Sequence, residues 1–128
     1  MLLAKDNHSF TALHFAAVQG SLEILEKLCS LAKEVELQPD ELLLAQGKAG
    51  LTALHFAAHE NYVGILKKLW VWAEEAQQNP NELKKDLLLA KDIQGFTAWQ
   101  LAAREGSLEA SEALKGFAIE AELNTDEL

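Results

Sequence analysis

His55 and His59 stand four residues apart, a spacing that turns two imidazoles of one helix toward a single metal ion. A zinc-peptidase helix would carry a glutamate directly after the first histidine, and Phe56 is there instead. Segments related to this one place His14 and Gln100 where His55 stands. A position that takes either His or Gln is suited to hydrogen bonding with backbone, not to ligation, so no metal or cofactor is expected. His59, at the variable end of the same helix beside Glu60, has no such counterpart. Nucleophiles fare no better. Cys29 stands alone, with only Lys27 and Lys33 near it in sequence, and reads as a small residue on a helix. Ser9, Ser21, Ser30, Ser107 and Ser111 fall at turns, caps or helix faces, and the seven glycines are scattered with no phosphate loop among them. No catalytic residue is assigned, and enzyme activity is not expected. The final Thr125-Asp-Glu-Leu128 resembles an endoplasmic-reticulum retrieval tail. Pro39-Asp-Glu-Leu42 and Pro80-Asn-Glu-Leu83 occupy the same phase of earlier segments, so this ending is part of the repeating pattern.

What positions these residues is a phrase written three times: Thr11-Ala-Leu-His-Phe-Ala-Ala17, Thr52-Ala-Leu-His-Phe-Ala-Ala58 and Thr97-Ala-Trp-Gln-Leu-Ala-Ala103, with the threonines 41 and then 45 residues apart. A period of this length means a stacked solenoid, in which no unit buries its apolar face without a neighbour. Each copy opens on Leu2-Leu-Ala-Lys-Asp6, Leu43-Leu-Ala-Gln-Gly47 or Leu88-Leu-Ala-Lys-Asp92. A tight turn follows, with Ser9, Gly50 or Gly95, the two glycines supplying a positive φ. The threonine hydroxyl then caps a short Ala/Leu helix that ends at Gly20, Asn61 or Gly106, residues suited to a left-handed C-cap. A longer helix starts at Ser21, Tyr62 or Ser107, and in the first copy Leu22, Leu25, Leu28, Ala32 and Val35 recur at helical spacing. Gln38-Pro-Asp-Glu41, Asn79-Pro-Asn-Glu82 and Asn124-Thr-Asp-Glu127 read as starts of a short third helix. Leu83-Lys-Lys-Asp86 accounts for the four extra residues of the second interval. The pattern predicts one all-α domain over 1–128 with repeats at about 1–41, 42–86 and 87–128. Ala110 and Ser111 stand where the first copy has Ile24 and Leu25, which suits a terminal unit with one face in water; the alternative is a piece of a longer array.

Composition narrows the partner. Twenty acids against eleven bases give a net charge of −9, which repels phosphate backbones and anionic membranes alike. No apolar run approaches the roughly 20 residues of a membrane span, and Lys5 and Asp6 interrupt the start before a secretory segment can form. The expected compartment is cytoplasmic, and the expected state a monomer.

Thr-Ala-Leu-His-Phe-Ala-Ala, a glycine after two intervening residues as at Gly20, and Ser21-Leu-Glu-Ile-Leu-Glu-Lys-Leu28 resemble the ankyrin repeat. Asp92-Ile-Gln-Gly-Phe-Thr97 matches that repeat's lead-in fully, and Asp6-Asn-His-Ser-Phe-Thr11 matches it except at Ser9. Ala12, Ala53 and Ala98 stand where the family has proline, and the period exceeds the usual 33 residues by about ten. The resemblance implies an ankyrin-type helical solenoid with short turn tips, here with an extra short helix between repeats. It implies a protein-interaction role, and for the repeated histidine a structural bond between neighbouring units.

By the same resemblance, partners meet the slots that vary between copies. After the lead-in these hold Asn7, His8 and Phe10; Lys48, Ala49 and Leu51; Ile93, Gln94 and Phe96. At the end of the first helix they hold Val18 and Gln19; His59 and Glu60; Arg104 and Glu105. Phe10, Leu51 and Phe96 form one apolar column that serves either as a binding stripe or as packing between turns. Few strong charges occupy these slots, so the expected ligand is a protein or peptide with a mixed apolar and polar surface. Trp72 aligns with Leu31 and Phe117 and reads as core. Trp70 aligns with Cys29 and Lys115; either it is partly exposed and an interface anchor, or it packs under the extra helix. A structural spacer from a longer array and an engineered scaffold are the alternative readings of the whole.

Overall fold

The computed structural model describes residues 12–36, 39–76, 79–123 and 128. Short first helices α1 (Ala12–Gln19), α4 (Ala53–His59) and α7 (Ala98–Arg104) stack on one another. Behind them the longer helices α2 (Leu22–Glu34), α5 (Val63–Glu74) and α8 (Leu108–Glu120) form a second stack. Two inserted helices, α3 (Pro39–Leu43) and α6 (Pro80–Leu89), fill the interval between one unit and the next, each with its proline at the first position. No strand occurs among the described residues. The expected all-α repeat solenoid, extra helices included, is what the chain forms.

Most of the repeated phrase is buried because alanine lets the short helices approach closely. Ala16 and Ala17, Ala57 and Ala58, and Ala98 and Ala102 are all within 1% of full burial, with Leu13 and Leu54 between the layers. In α2 the buried stretch runs from Leu25 to Ala32 and includes Cys29. Leu22 and Val35, which helical spacing placed on the same face, are 41% and 65% exposed. They occupy the first residue and the C-cap of α2, where no neighbour covers the helix end.

Local signals work as read. Thr52 and Thr97 cap α4 and α7, Ser21 caps α2, and Gly20, Asn61 and Gly106 hold φ of +68°, +62° and +73° at the turn between the two helices. Thr11, Ser9 and the third copy's Asn124–Glu127 lie outside the described residues. In the turn tips Gly47 donates to the Leu51 carbonyl at 2.8 Å and Asp92 to that of Phe96 at 2.9 Å. Adjacent tips are joined by the Ile93 amide, which donates to the Ala49 carbonyl at 2.8 Å. A Cβ on Gly50 would come within 2.9 Å of that same Ile93 nitrogen, so this tip needs glycine for space as well as for its φ of +76°.

Trp72 is core, as expected, at 2% exposure. Trp70 is buried too, at 3%, which overturns its reading as an exposed anchor. Its ring stacks on Phe117 with centroids 4.5 Å apart, its indole N–H donates to Glu120 Oε2 at 3.0 Å, and Lys84 of α6 lies 5.2 Å above it. The lysine at the aligned position of α8, Lys115, is exposed, with its ammonium 5.4 Å from the Trp99 ring centroid.

Candidate partner-binding cleft

The residue that carries the stack is the repeated His or Gln. It stands at the third position of its helix, where a side-chain acceptor can reach back to the cap residue's own amide. Thr52 N donates to His55 Nδ1 at 3.2 Å, and His55 N donates to Thr52 Oγ1 at 3.3 Å. Thr97 N donates to Gln100 Oε1 at 3.0 Å, and Gln100 N to Thr97 Oγ1 at 3.2 Å. The far end of each side chain then donates onward: His14 Nε2 to the Ala45 carbonyl (2.9 Å), His55 Nε2 to that of Phe96 (3.0 Å), Gln100 Nε2 to that of Leu128 (3.1 Å). Both nitrogens of His55 are therefore committed, and burial holds its pKa below the ordinary 6.5. It cannot share a ligand with His59, whose exposed ring faces Glu60 and Glu105 instead. Among the described residues no three His, Cys, Asp or Glu side chains are grouped as a metal site.

Cys29 is 4% exposed, and burial pushes its thiol up to about 11, so it is a packing residue with little thiolate at neutral pH. Ser107 donates its hydroxyl to the His59 carbonyl at 3.2 Å, and Ser111 to that of Leu108 at 2.9 Å. Neither is poised for attack.

Along the line where tips meet first helices, α4 and α7 leave a cleft of about 460 Å³. Eight of the fifteen variable-slot residues line it. From the tips come Ala49, Leu51 and Gln94; from the helix ends come Val18, His59, Glu60, Arg104 and Glu105. His55, Phe56, Asp92 and Leu101 complete the wall, and these four the repeat comparison did not single out. Phe56 and Leu101 hold one aligned position that reads as scaffold in sequence, because nothing there distinguishes a helix's cleft side from its core side. The other slots divide. Ile93 (79% exposed) and Gln19 are on the surface outside the cleft wall. Lys48 belongs to the short 3-10 turn of its tip. Phe96 is half-buried with the Arg104 guanidinium 5.1 Å above its ring, so the apolar column splits, Leu51 facing the cleft and Phe96 packing. Asn7, His8 and Phe10 lie outside the described residues.

Tips and helix ends are held by side-chain hydrogen bonds. Asp92 Oδ1 accepts the amides of Gln94 and Phe96, each at 2.9 Å, and Gln46 Nε2 donates to the carbonyls of Gly50 (3.1 Å) and Lys91 (3.0 Å), tying one tip to the next. Asn61 reaches across units: its Oδ1 accepts the Ala110 amide and its Nδ2 donates to Glu109 Oε2, both at 2.9 Å. That hydrogen bond holds the Glu109 carboxyl below its ordinary range.

Two stacked layers of helices, tips in register and a histidine bonding unit to unit define a helical repeat protein. The ankyrin-repeat family model matches residues 8–38 and 49–82, half of the chain, and the chain belongs to that family. The matched segments cover the first two copies; the third lies beyond them. A comparison with curated proteins finds no match. Ankyrin repeats are generally protein-interaction modules and typically not catalytic. No helix among the described residues is long and apolar enough to cross a membrane.

Proposed function

We propose that this chain is a protein-interaction module, one ankyrin-repeat domain over 1–128 with repeats at about 1–41, 42–86 and 87–128. As a scaffold or adaptor it receives a protein or peptide on the concave side made by its tips and first helices, without catalysis. The observation that supports this reading is the convergence on one cleft of eight of the slots that differ between copies, while most positions of the repeated phrase are spent on burial. An acidic chain is a poor ligand for nucleic acid or anionic lipid, so the partner is a protein, met by a monomer in the cytoplasm.

Peptides selected from a displayed random library on the immobilised chain supply a ligand for the test. Replacing Gln94 and Arg104 together by alanine should weaken that ligand by about tenfold or more, since interface energy concentrates in few residues. Replacing Glu26 and Lys67, exposed on the outer helices, should leave affinity unchanged, with melting temperature the same in both variants. The reverse pattern would put the partner on the outer face and defeat the proposal.

A further inference from the structure

The cleft holds an unequal set of charges. Glu60 and Glu105 are the C-cap residues of α4 and α7, equivalent positions in adjacent units, with side chains 46% and 43% exposed. Between them stands one imidazole. His59 Nδ1 lies 3.1 Å from Glu60 Oε1, and Nε2 lies 3.7 Å from Glu105 Oε1, beyond hydrogen-bond length. A ring with one proton serves one carboxylate; a ring with two sets a single charge against a pair. In either state the carboxylates are left short of a cation. Asp92 adds a third acid to the same wall, and the guanidinium of Arg104 is laid over Phe96. Beside these charges the lining is apolar, with Val18, Leu51, Phe56 and Leu101. At about 460 Å³ the cleft is within the roughly 300–1,000 Å³ typical of small-ligand pockets, so it takes side chains and not a folded domain.

We infer that the partner segment is basic and apolar: an Arg or Lys set against the exposed carboxylates of Glu60 and Glu105 beside the His59 ring, next to an apolar side chain lodged against Leu51 and Leu101. Arginine fits best, because its planar fork carries five N–H donors suited to carboxylate oxygens. The surrounding charge of −9 draws such a segment in and turns acidic competitors away. The inference rests on the cleft being the binding site, and its test separates the two ideas.

Fluorescence anisotropy with three labelled short peptides decides it: alternating arginine and leucine, glutamate and leucine, and arginine and serine. The arginine–leucine peptide should bind tightest. Glu60→Gln with Glu105→Gln should weaken it about tenfold, whereas Glu26→Gln with Glu34→Gln, which removes the same charge from exposed sites on α2, should not. Equal losses in both double variants would mean diffuse attraction to an acidic chain and overturn the inference. So would failure of the arginine–leucine peptide to bind, or equal binding of the arginine–serine peptide, which would remove the apolar half. If the glutamate–leucine peptide binds as tightly and loses affinity with Gln94→Ala and Arg104→Ala, the cleft is the site but the inference about charge is wrong. If library-selected ligands ignore those two cleft substitutions, the reading of the cleft fails by itself.

Discussion

At the scale of single residues, histidine and glutamine are equivalent here because each offers one acceptor and one donor at opposite ends of a flat group. The acceptor of His55 closes the cap of α4, and its donor reaches the next unit at Phe96. His55→Gln should therefore cost about 1 kcal/mol or less. His55→Ala should cost about 2–4 kcal/mol, since it opens a cavity, leaves the buried Thr52 amide unpaired and takes one of two donors from the Phe96 carbonyl. Urea unfolding of both variants checks this. Folding holds His55 neutral while the unfolded chain takes up its proton near 6.5. Its contribution is then complete above that pH and is lost as pH falls through the depressed folded value. Wild type should lose more stability than His55→Gln between neutral and mildly acidic pH. Cys29 offers a second check: with its thiol near 11 and buried, a thiol reagent at pH 8 should label it only as fast as the chain opens, and rapidly in urea.

At the scale of helices, the units cap one another. Ser107 heads α8 but turns its hydroxyl to the His59 carbonyl, and the side-chain acceptor for the Ala110 amide comes from Asn61, one unit earlier. In the preceding junction Gly20 takes the place of Asn61 and Tyr62 that of Ser107, and the tyrosine ring lies where a Cβ on Gly20 would be, 2.8 Å away. Ring-under-glycine and amide-over-helix are two solutions to the same joint. Asn61→Gly keeps the left-handed turn and removes only the amide, so it should cost about 1 kcal/mol by thermal unfolding. Asn61→Ala adds the left-handed penalty and should cost about twice that. In either variant the Glu109 carboxyl should titrate at a higher pH by NMR, because the donor that lowers it is gone.

At the scale of the whole molecule, the long period is explained by what the inserted helix does. Lys84 of α6 is only 8% exposed and joins Glu74 of α5 (3.2 Å) and Glu120 of α8 (3.7 Å), above the ring of Trp70. The Trp70 N–H first, and then Glu74 and Lys84, hold the Glu120 carboxyl below its ordinary range. The insert thus ties two units together through one ammonium. Its stem covers apolar surface, and both acids reach water, so the packing matters more than the charge. Lys84→Met should stay within about 1 kcal/mol of wild type, while Lys84→Ala should lose about 1–3 kcal/mol, read from urea unfolding.

The three-fold phrase, its spacing and its caps determined the class of fold, because threonine caps, left-handed turn residues and alanine-rich helices act within a few residues of chain. The same local chemistry announced α3 and α6 through their prolines and assigned His55 a bonding role. Comparison of the copies also picked out eight of the cleft's residues, since scaffold slots repeat and surface slots drift. Other matters depended on which elements meet. Trp70 could be judged only once Phe117, Lys84 and Glu120 were seen to enclose it, because the exposed lysine at the aligned place in α8 reports nothing of those neighbours. Leu22 and Val35 share a helical face with the core and are still exposed, as periodicity gives direction without giving the reach of a neighbour. The contribution of Phe56, Leu101 and Asp92 to the cleft, the approach of Glu105 to the His59 ring and the cap lent by Asn61 to the next unit all join residues that the sequence keeps apart. Such pairings are set by the rise and rotation from one unit to the next, and that geometry exists only when the layers have packed.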